Sequence, residues 1–329
     1  MRASGVWVAC GLVLSLACGG GGGPASPPSP SAPPATISGR VVANPGGGPV
    51  AGAQILAGDA VVAVTGADGS FSLPNRGALS VSIAAEGYLT RRTRLSGERS
   101  GLAIDLISLR PPFELEFYRQ LTRDAQDGSL TALARWTVDP AVYVFTNRVD
   151  RDRHDTGEPL PAVLVDLCRS ALPGVVSQVT AGHLSLARFE SGTDASVLTG
   201  PRAGTIVVTF RHRLAPVVDP APDCVDSASI VASNTAAVSL CYSDDQPFCP
   251  LISPGTIAHE MGHALGLHHA CFPAPRVGAP YTMCRGSGSA AARRCEAAFD
   301  PKELFHSAIL YSRPPGNVDA DEDPPDFAF

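Results

Sequence analysis

The chain has 329 residues, enough for one large domain or two ordinary ones. It is 44% hydrophobic and 17% charged, so a buried core needs no unusual staples, and a net charge of −6 gives no electrostatic basis for binding nucleic acid. Gly 33 and Pro 30 point to linkers and turns rather than long helices, and 6% aromatics argues against a carbohydrate- or base-stacking surface.

Arg2, the apolar run Val6 to Leu16 and the small residues after it read as a secretory signal over residues 1–17, short for a membrane span. The run ends in "LSLACGG", which resembles a bacterial lipobox with Cys18 as the lipidated, mature N-terminus. The leucine sits one place closer to the cysteine than in the best versions. The expectation is an exported protein held at a bacterial outer membrane or cell surface by a lipid on Cys18. Ordinary signal cleavage with secretion, or an uncleaved leader, are the alternatives. Residues 18–35 are rich in Gly, Pro and Ser, bury nothing, and read as a tether that reaches roughly 40–50 Å.

Residues 36–110 change character. "ISGRVV", "AQILAG", "AVVAVTG", "GSFSLP", "LSVSIAAEGY" and "LAIDLISL" are short alternating runs punctuated by Gly, Pro, Asn and Asp, with Asp68-Gly69 at a tight turn. This spacing predicts a small all-β sandwich. The stretches "SGRVV", "PVAGAQI", "TGADGSFSL" and "VSIAAEGY" resemble the carboxypeptidase regulatory-like, transthyretin-like sandwich. That resemblance implies a fold and almost no chemistry: a spacer or accessory module.

Residues 113–313 read as a mixed α/β domain, so the fold class expected for the whole is α+β/mixed. "FELEFYRQLTRD" predicts a short linking helix and "AVYVFTNR" a strand. "LPAVLVDLCRSALPGVVSQVT" has apolar residues at helical spacing, interrupted by Pro173 and Gly174. "GHLSLARFE" and "TIVVTFRH" read as strands, and "SIVASNTAAVSLCY" as one or two more. "DPKELFHSAILYSRPPGN" is a closing helix capped by Asp300, opened by Pro301 and stopped by Pro314. Residues 314–329 read as a solvated acidic tail, with calcium binding there unsupported.

The nine cysteines support export. With Cys10 and Cys18 in the leader, the others (Cys168, Cys224, Cys241, Cys249, Cys271, Cys284 and Cys295) read as disulfides with one thiol left over. Cys168, alone in an apolar helical stretch, is the expected free thiol.

The chemistry concentrates in "HEMGHALGLHH", His259 to His269. His259 and His263, four apart, share one helix face and can reach one ion, with Glu260 beside them. Gly266 ends the helix through a left-handed turn, so that the chain returns and presents a third imidazole from His268 or His269. Three neutral imidazoles and a water make an open catalytic zinc site.

The longer pattern H-E-x-x-H-x-x-G-x-x-H resembles the metzincin zinc-peptidase clan. Its spacing implies His269 as third ligand and His268 as bystander. "YTMC" offers Met283 for the clan's methionine turn, an apolar floor rather than a ligand. The resemblance covers residues 138–313 in layout and specific residues only over 259–283. Ala270 stands where the named subfamilies carry Ser, Asp or Glu, and Arg285 where astacin-like and serralysin-like members carry tyrosine. "HEMGHALGLHH" looks most like matrixins, yet no "PRCGxPD"-type segment precedes it, so the subfamily stays open. Tyr281 is expected to pack.

The resemblance implies a zinc metalloendopeptidase that acts on protein or peptide substrates, with one Zn2+ and Glu260 as general base. By analogy of fold, a strand such as Thr205 to Phe210 would line the cleft and pair with substrate. The alternative is a surface binding or adhesion protein that retains a structural metal site. A Ser-His-Asp hydrolase has no support, because no glycine-flanked serine elbow is present.

Overall fold

The computed structural model describes residues 35–123, 129–213, 224–244, 249–271, 281–284, 295–317, 319 and 322–329. The leader, Cys18, most of the tether and Arg285 lie outside them.

Alternation of apolar and polar residues builds two sheets from the first third of the described chain. One holds β1 (Thr36–Asn44), β4 (Ser70–Pro74) and β7 (Arg99–Ile107) in the order β4-β1-β7. The other holds β2 (Gln54–Ala57), β3 (Ala60–Val64), β5 (Leu79–Ala84) and β6 (Arg91–Leu95) in the order β3-β2-β5-β6. Every second residue of these strands points inward, so Ile37, Val41, Ile55, Phe71, Val81, Ile83, Leu95 and Ile104 form one shared core. Pairing is antiparallel except for β1 with β7, which is parallel. At the turn before β4, Gly69 has φ +75°, and a Cβ there would lie 2.5 Å from the Val41 carbonyl oxygen. Strand β6 has no signature in the sequence because "RRTRL" hides its pattern: its first inward residue is Arg91, fully buried with its charge answered.

The second region is a six-stranded sheet. β8 (Ala141–Val149), β10 (Arg188–Gly192), β11 (Thr205–His212) and β13 (Thr235–Tyr242) are mutually parallel, and β12 (Ser227–Ala232) is antiparallel. The order is β10-β8-β11-β13-β12, with β9 (Asp155–Pro159) pairing β8. β9 is exposed at every residue, so no apolar signal marks it. Even-numbered residues such as Val142, Val144, Ile206, Val208, Val238 and Leu240 face the main core. Odd-numbered Tyr143, Phe145 and Val207 face a smaller cluster with Val197 from α3 (Ser196–Thr199).

Helices α1 (Leu115–Thr122), α2 (Ala162–Val179), α4 (Pro254–Ala264) and α5 (Pro301–Ser312) supply the rest of the main core. Helix α2 runs through Pro173 and Gly174 without a break. The interruption expected from those residues is absent because Leu164, Cys168, Leu172, Val175, Val176 and Val179 all bury on one side, before and after the proline. That burial outweighs the roughly 3 kcal/mol that an interior proline costs.

Two further expectations are corrected. β11 lies between β8 and β13, with both backbone edges already paired, so Thr205 to Phe210 cannot pair with a substrate; among the described residues β10 and β12 are the end strands of this sheet. The tail is not free in solvent: several of its described residues are tied to β6, although Glu322, Pro325 and Asp326 stay exposed. The Asp323 N–H donates to Arg92 O, the Phe329 N–H donates to Arg94 O, and the Ser96 N–H donates to Phe329 O, so the segment covers the outer edge of β6. Asp323 is 6% exposed and takes a bidentate pair from Arg91 at 2.9 and 3.0 Å. Phe329 packs on the sandwich core. Tail, sandwich and second region belong to one compact unit, residues 35–329.

Three disulfides close within the second region: Cys224–Cys241, Cys249–Cys295 and Cys271–Cys284. They are the mark of an oxidising compartment. Cys168 is the free, buried thiol, and burial pushes its pKa up to about 12.

Candidate metal centre

Helix α4 starts where Ser253 accepts a hydrogen bond from the Gly255 N–H and Pro254 fills the first turn. Its buried face (Ile257, Ala258, Met261, Ala264) packs into the main core and leaves His259 and His263 on the next face. Its end is built by chain chemistry. The Gly266 N–H donates to His263 O and the Leu267 N–H donates to Gly262 O, the paired bonds of a Schellman turn. Gly266 has φ +103°, and a Cβ there would lie 1.8 Å from Ala134 O, so only glycine fits. Trp136 Nε1 donates to Ala264 O and Tyr311 Oη to Leu265 O, each at 2.7 Å, so aromatic side chains serve the last carbonyls of the helix.

The turn brings the third imidazole round. Nε2 of His263 lies 3.2 Å from Nε2 of His259 and 3.1 Å from Nε2 of His269. Among the described residues, these three form the only cluster of metal-ligating side chains whose donor atoms all lie within 4.8 Å of one another. His268 is not part of it, and its backbone N–H donates to Leu121 O at 2.6 Å.

Tautomers follow from the other ring nitrogens. His259 Nδ1 is 2.6 Å from Thr282 O, and His263 Nδ1 is 2.7 Å from Leu267 O. A carbonyl only accepts, so both Nδ1 atoms carry the proton and both Nε2 atoms present lone pairs to the cluster centre. Burial pushes the His259 pKa down; burial and then the neighbouring imidazoles push that of His263 well down. Neutral acceptors facing one another at this distance repel unless a cation lies between them. The three histidines can therefore hold a metal ion.

Glu260 is 5% exposed, with Oε1 3.9 Å from His259 Nε2. Among the described residues, its Oε2 is buried without a hydrogen-bond partner. Burial, and then the charge of Asp226, push its pKa up to about 8. Asp226 is held at the start of β12 by the Cys241 N–H, at 2.6 Å.

No family model matches the chain, and no curated protein matches it either.

Met283 is fully buried against α4: a Cβ on Gly262 would lie 2.5 Å from its Sδ, so glycine at that position admits the thioether. The segment after His269 is tied to the same turn, because the Ala270 N–H donates to Met283 O at 3.1 Å and Cys271 is bonded to Cys284. Tyr281 packs edge-on to Phe117 with centroids 4.9 Å apart.

Several supporting residues have no mark in the motif itself: Gly262, Trp136, Tyr311, Asp226 and Glu303. Only Glu303 carries a readable signal, since Asp300 and Glu303 are spaced as a capping box. Its carboxylate also accepts from Thr282 N at 3.0 Å and Met283 N at 2.6 Å, bonds that no local pattern announces.

Proposed function

We propose that this chain is an exported zinc metalloendopeptidase, with His259, His263 and His269 as metal ligands and Glu260 as general base. One observation carries the reading: a buried carboxylate with an unpartnered oxygen stands beside three convergent imidazole nitrogens. A purely structural metal site would leave that carboxylate without a task. The donor set fits Zn2+, since it holds three imidazole nitrogens, no thiolate and no carboxylate, and two of the rings are oriented by carbonyl acceptors.

A Zn2+ bound there would supply Lewis acidity and bring the pKa of a water near neutrality. The chain supplies the rest. Glu260 takes the proton of the attacking water and returns it to the leaving amine. Its burial holds its basicity near the working pH and keeps other proton donors away. β12 packs against α4 and ends the strand order among the described residues, which makes it the edge nearest the histidines that could take an extended peptide backbone. Met283 fills the space against Gly262 and keeps α4 from shifting under the ligands.

We place the folded part outside the cytoplasm, anchored through a lipid on Cys18, with the sandwich as an accessory module. Intact mass should show an acylated Cys18 as the first residue; an unmodified N-terminus beyond Gly23 excludes the anchor. Glu260→Ala should lower casein or gelatin cleavage by roughly 10²–10⁴-fold while zinc stays bound. Equal cleavage by the variant removes Glu260 as base. Zinc in both forms with no cleavage of any peptide library indicates a binding protein instead.

A further inference from the structure

The link between Glu303 and His259 is a single peptide unit. Its N–H belongs to Met283 and its C=O to Thr282. Glu303 Oε1 accepts the N–H at 2.6 Å, and the C=O accepts from His259 Nδ1, also at 2.6 Å. Carboxylate, peptide and imidazole therefore stand in one hydrogen-bonded series. Glu303 Oε2 accepts from Thr282 N at 3.0 Å, which fixes the near side of the same turn.

We propose that Glu303 is a positioning residue of the metal centre, acting on His259 through the Thr282–Met283 peptide. This role rests on the histidine cluster being a zinc site. A negative acceptor on the N–H end of a peptide polarises its carbonyl and makes the carbonyl the stronger acceptor. The stronger acceptor orients the imidazole and raises the basicity of its other nitrogen, as a directly bonded carboxylate does for a metal-bound histidine. Here the carboxylate acts one peptide away.

Capping of α5 does not account for this arrangement. A capping box needs Glu303 only to accept from the Asp300 N–H, which Oε2 does at 2.8 Å. Oε1 has no part in the cap and serves the Met283 N–H. The carboxyl group is fully buried, and the sequence separation from the turn is 20 and 21 residues, so the contact exists only because α5 packs against it. The same turn is also tied by Thr282 Oγ1, which donates to Ala298 O, by the Ala270 N–H, which donates to Met283 O, and by the Cys271–Cys284 disulfide.

Glu303→Gln separates positioning from capping. The amide keeps the shape and one acceptor but turns an NH2 toward a backbone N–H and removes the charge. Asp300→Ala is the control: it removes the side chain that caps Lys302 N and leaves the Glu303 bonds to the turn. Above about pH 8, where the Glu303 carboxyl is ionised, zinc affinity would be measured by chelator competition, and His259 Nδ1–H by proton NMR of the zinc-loaded protein. Glu303→Gln should bind zinc about 10–100-fold more weakly and shift the Nδ1 proton upfield. Asp300→Ala should stay within about twofold of wild type on both counts, although it unfolds more easily.

Wild-type zinc affinity and an unmoved Nδ1 resonance in Glu303→Gln overturn the proposal. So does an equal loss of affinity in both variants, which would mark stability alone. If Glu303→Gln does not fold, the wild-type protein decides. The Met283 amide must be protected from exchange and His259 Nδ1–H must appear downfield, and the lack of either overturns the proposal. A wild-type protein that binds no zinc overturns the zinc reading itself, and the role of Glu303 with it.

Discussion

Two of the buried polar clusters among the described residues are built on different principles. Where the sandwich meets the second region, Arg91 and Arg313 face Asp105 and Asp323. Arg91 Nη2 lies 2.8 Å from Asp323 and Arg313 Nη1 lies 3.5 Å from Asp105, while Arg91 also pairs closely with Asp105. Asn44 donates to Asp105 at 2.6 Å. Burial alone would raise the Asp105 pKa, but Arg313 and Arg91 together hold it below the usual carboxylate range. Charge is balanced in place, as a structural cluster requires. At the histidines, acceptors face acceptors, one carboxylate oxygen has no partner, and Glu260 is pushed up rather than down. The first cluster balances its charges within the chain, although Nε and Nη2 of Arg313 are buried without hydrogen-bond partners among the described residues. The second could hold a metal ion.

Removing one charge from each cluster should give opposite results. Asp323→Ala leaves Arg91 buried with half its partners gone and should cost about 3–5 kcal/mol of unfolding free energy in a urea titration. It should also loosen the tail from β6. A loss below ~1 kcal/mol would mean that the pairing at the junction is not what joins the two regions.

The histidine cluster should instead show its imbalance in the pH dependence of the metal-free protein. Glu260 has a folded pKa of about 8 against 4.5 for the free side chain, and Glu303 moves the same way, to about 7, mainly through burial. Between the free and folded values the folded state binds more protons than the unfolded chain. The stability these two groups contribute is therefore full below the free value of 4.5 and is lost as pH rises toward 8. The loss should be about 3 kcal/mol or more, since each tenfold change in proton affinity is worth about 1.4 kcal/mol. Glu260→Gln should flatten most of that slope. An unchanged slope in the variant would place the imbalance elsewhere.

Metal should then distinguish the clusters with the smallest effect of the three. Zinc at about a hundredfold its Kd should stabilise the wild type by about 2.7 kcal/mol, and a chelator should reverse this. The same gain should appear in Asp323→Ala, because the junction makes no use of the ion. A gain that vanishes in Asp323→Ala would show the two clusters to be coupled rather than separate.

Legibility in the sequence follows the same division. "HEMGHALGLHH" announced two histidines on one helix face, a glycine turn and a third histidine, because helix periodicity and the φ preference of glycine are local. The structure brings His259, His263 and His269 together and leaves His268 outside. Apolar alternation likewise announced β1, β5, β8, β11 and β13. It could not reveal β6, where buried Arg91 stands in the place of an apolar residue, or β9, which buries nothing. The acidic tail read as solvated because charge usually marks exposure. Arg91 and the β6 edge, more than two hundred residues away, reverse that.

Local sequence was enough for two histidines on one helix face with a third from His268 or His269, the helix-ending glycine, the alternating strands of the sandwich and the odd thiol at Cys168. Each depends on residues a few positions apart or on a property of one side chain. Packing was needed to make β11 interior and β12 an end strand, since strand order is set by which faces and edges must be covered. The placement of Met283 against Gly262, the pairing of Asp323 with Arg91, and the hold of Glu303 on the Thr282–Met283 peptide came from the same source. These contacts join segments distant in sequence, and a buried charge has no determined partner until packing removes the water around it.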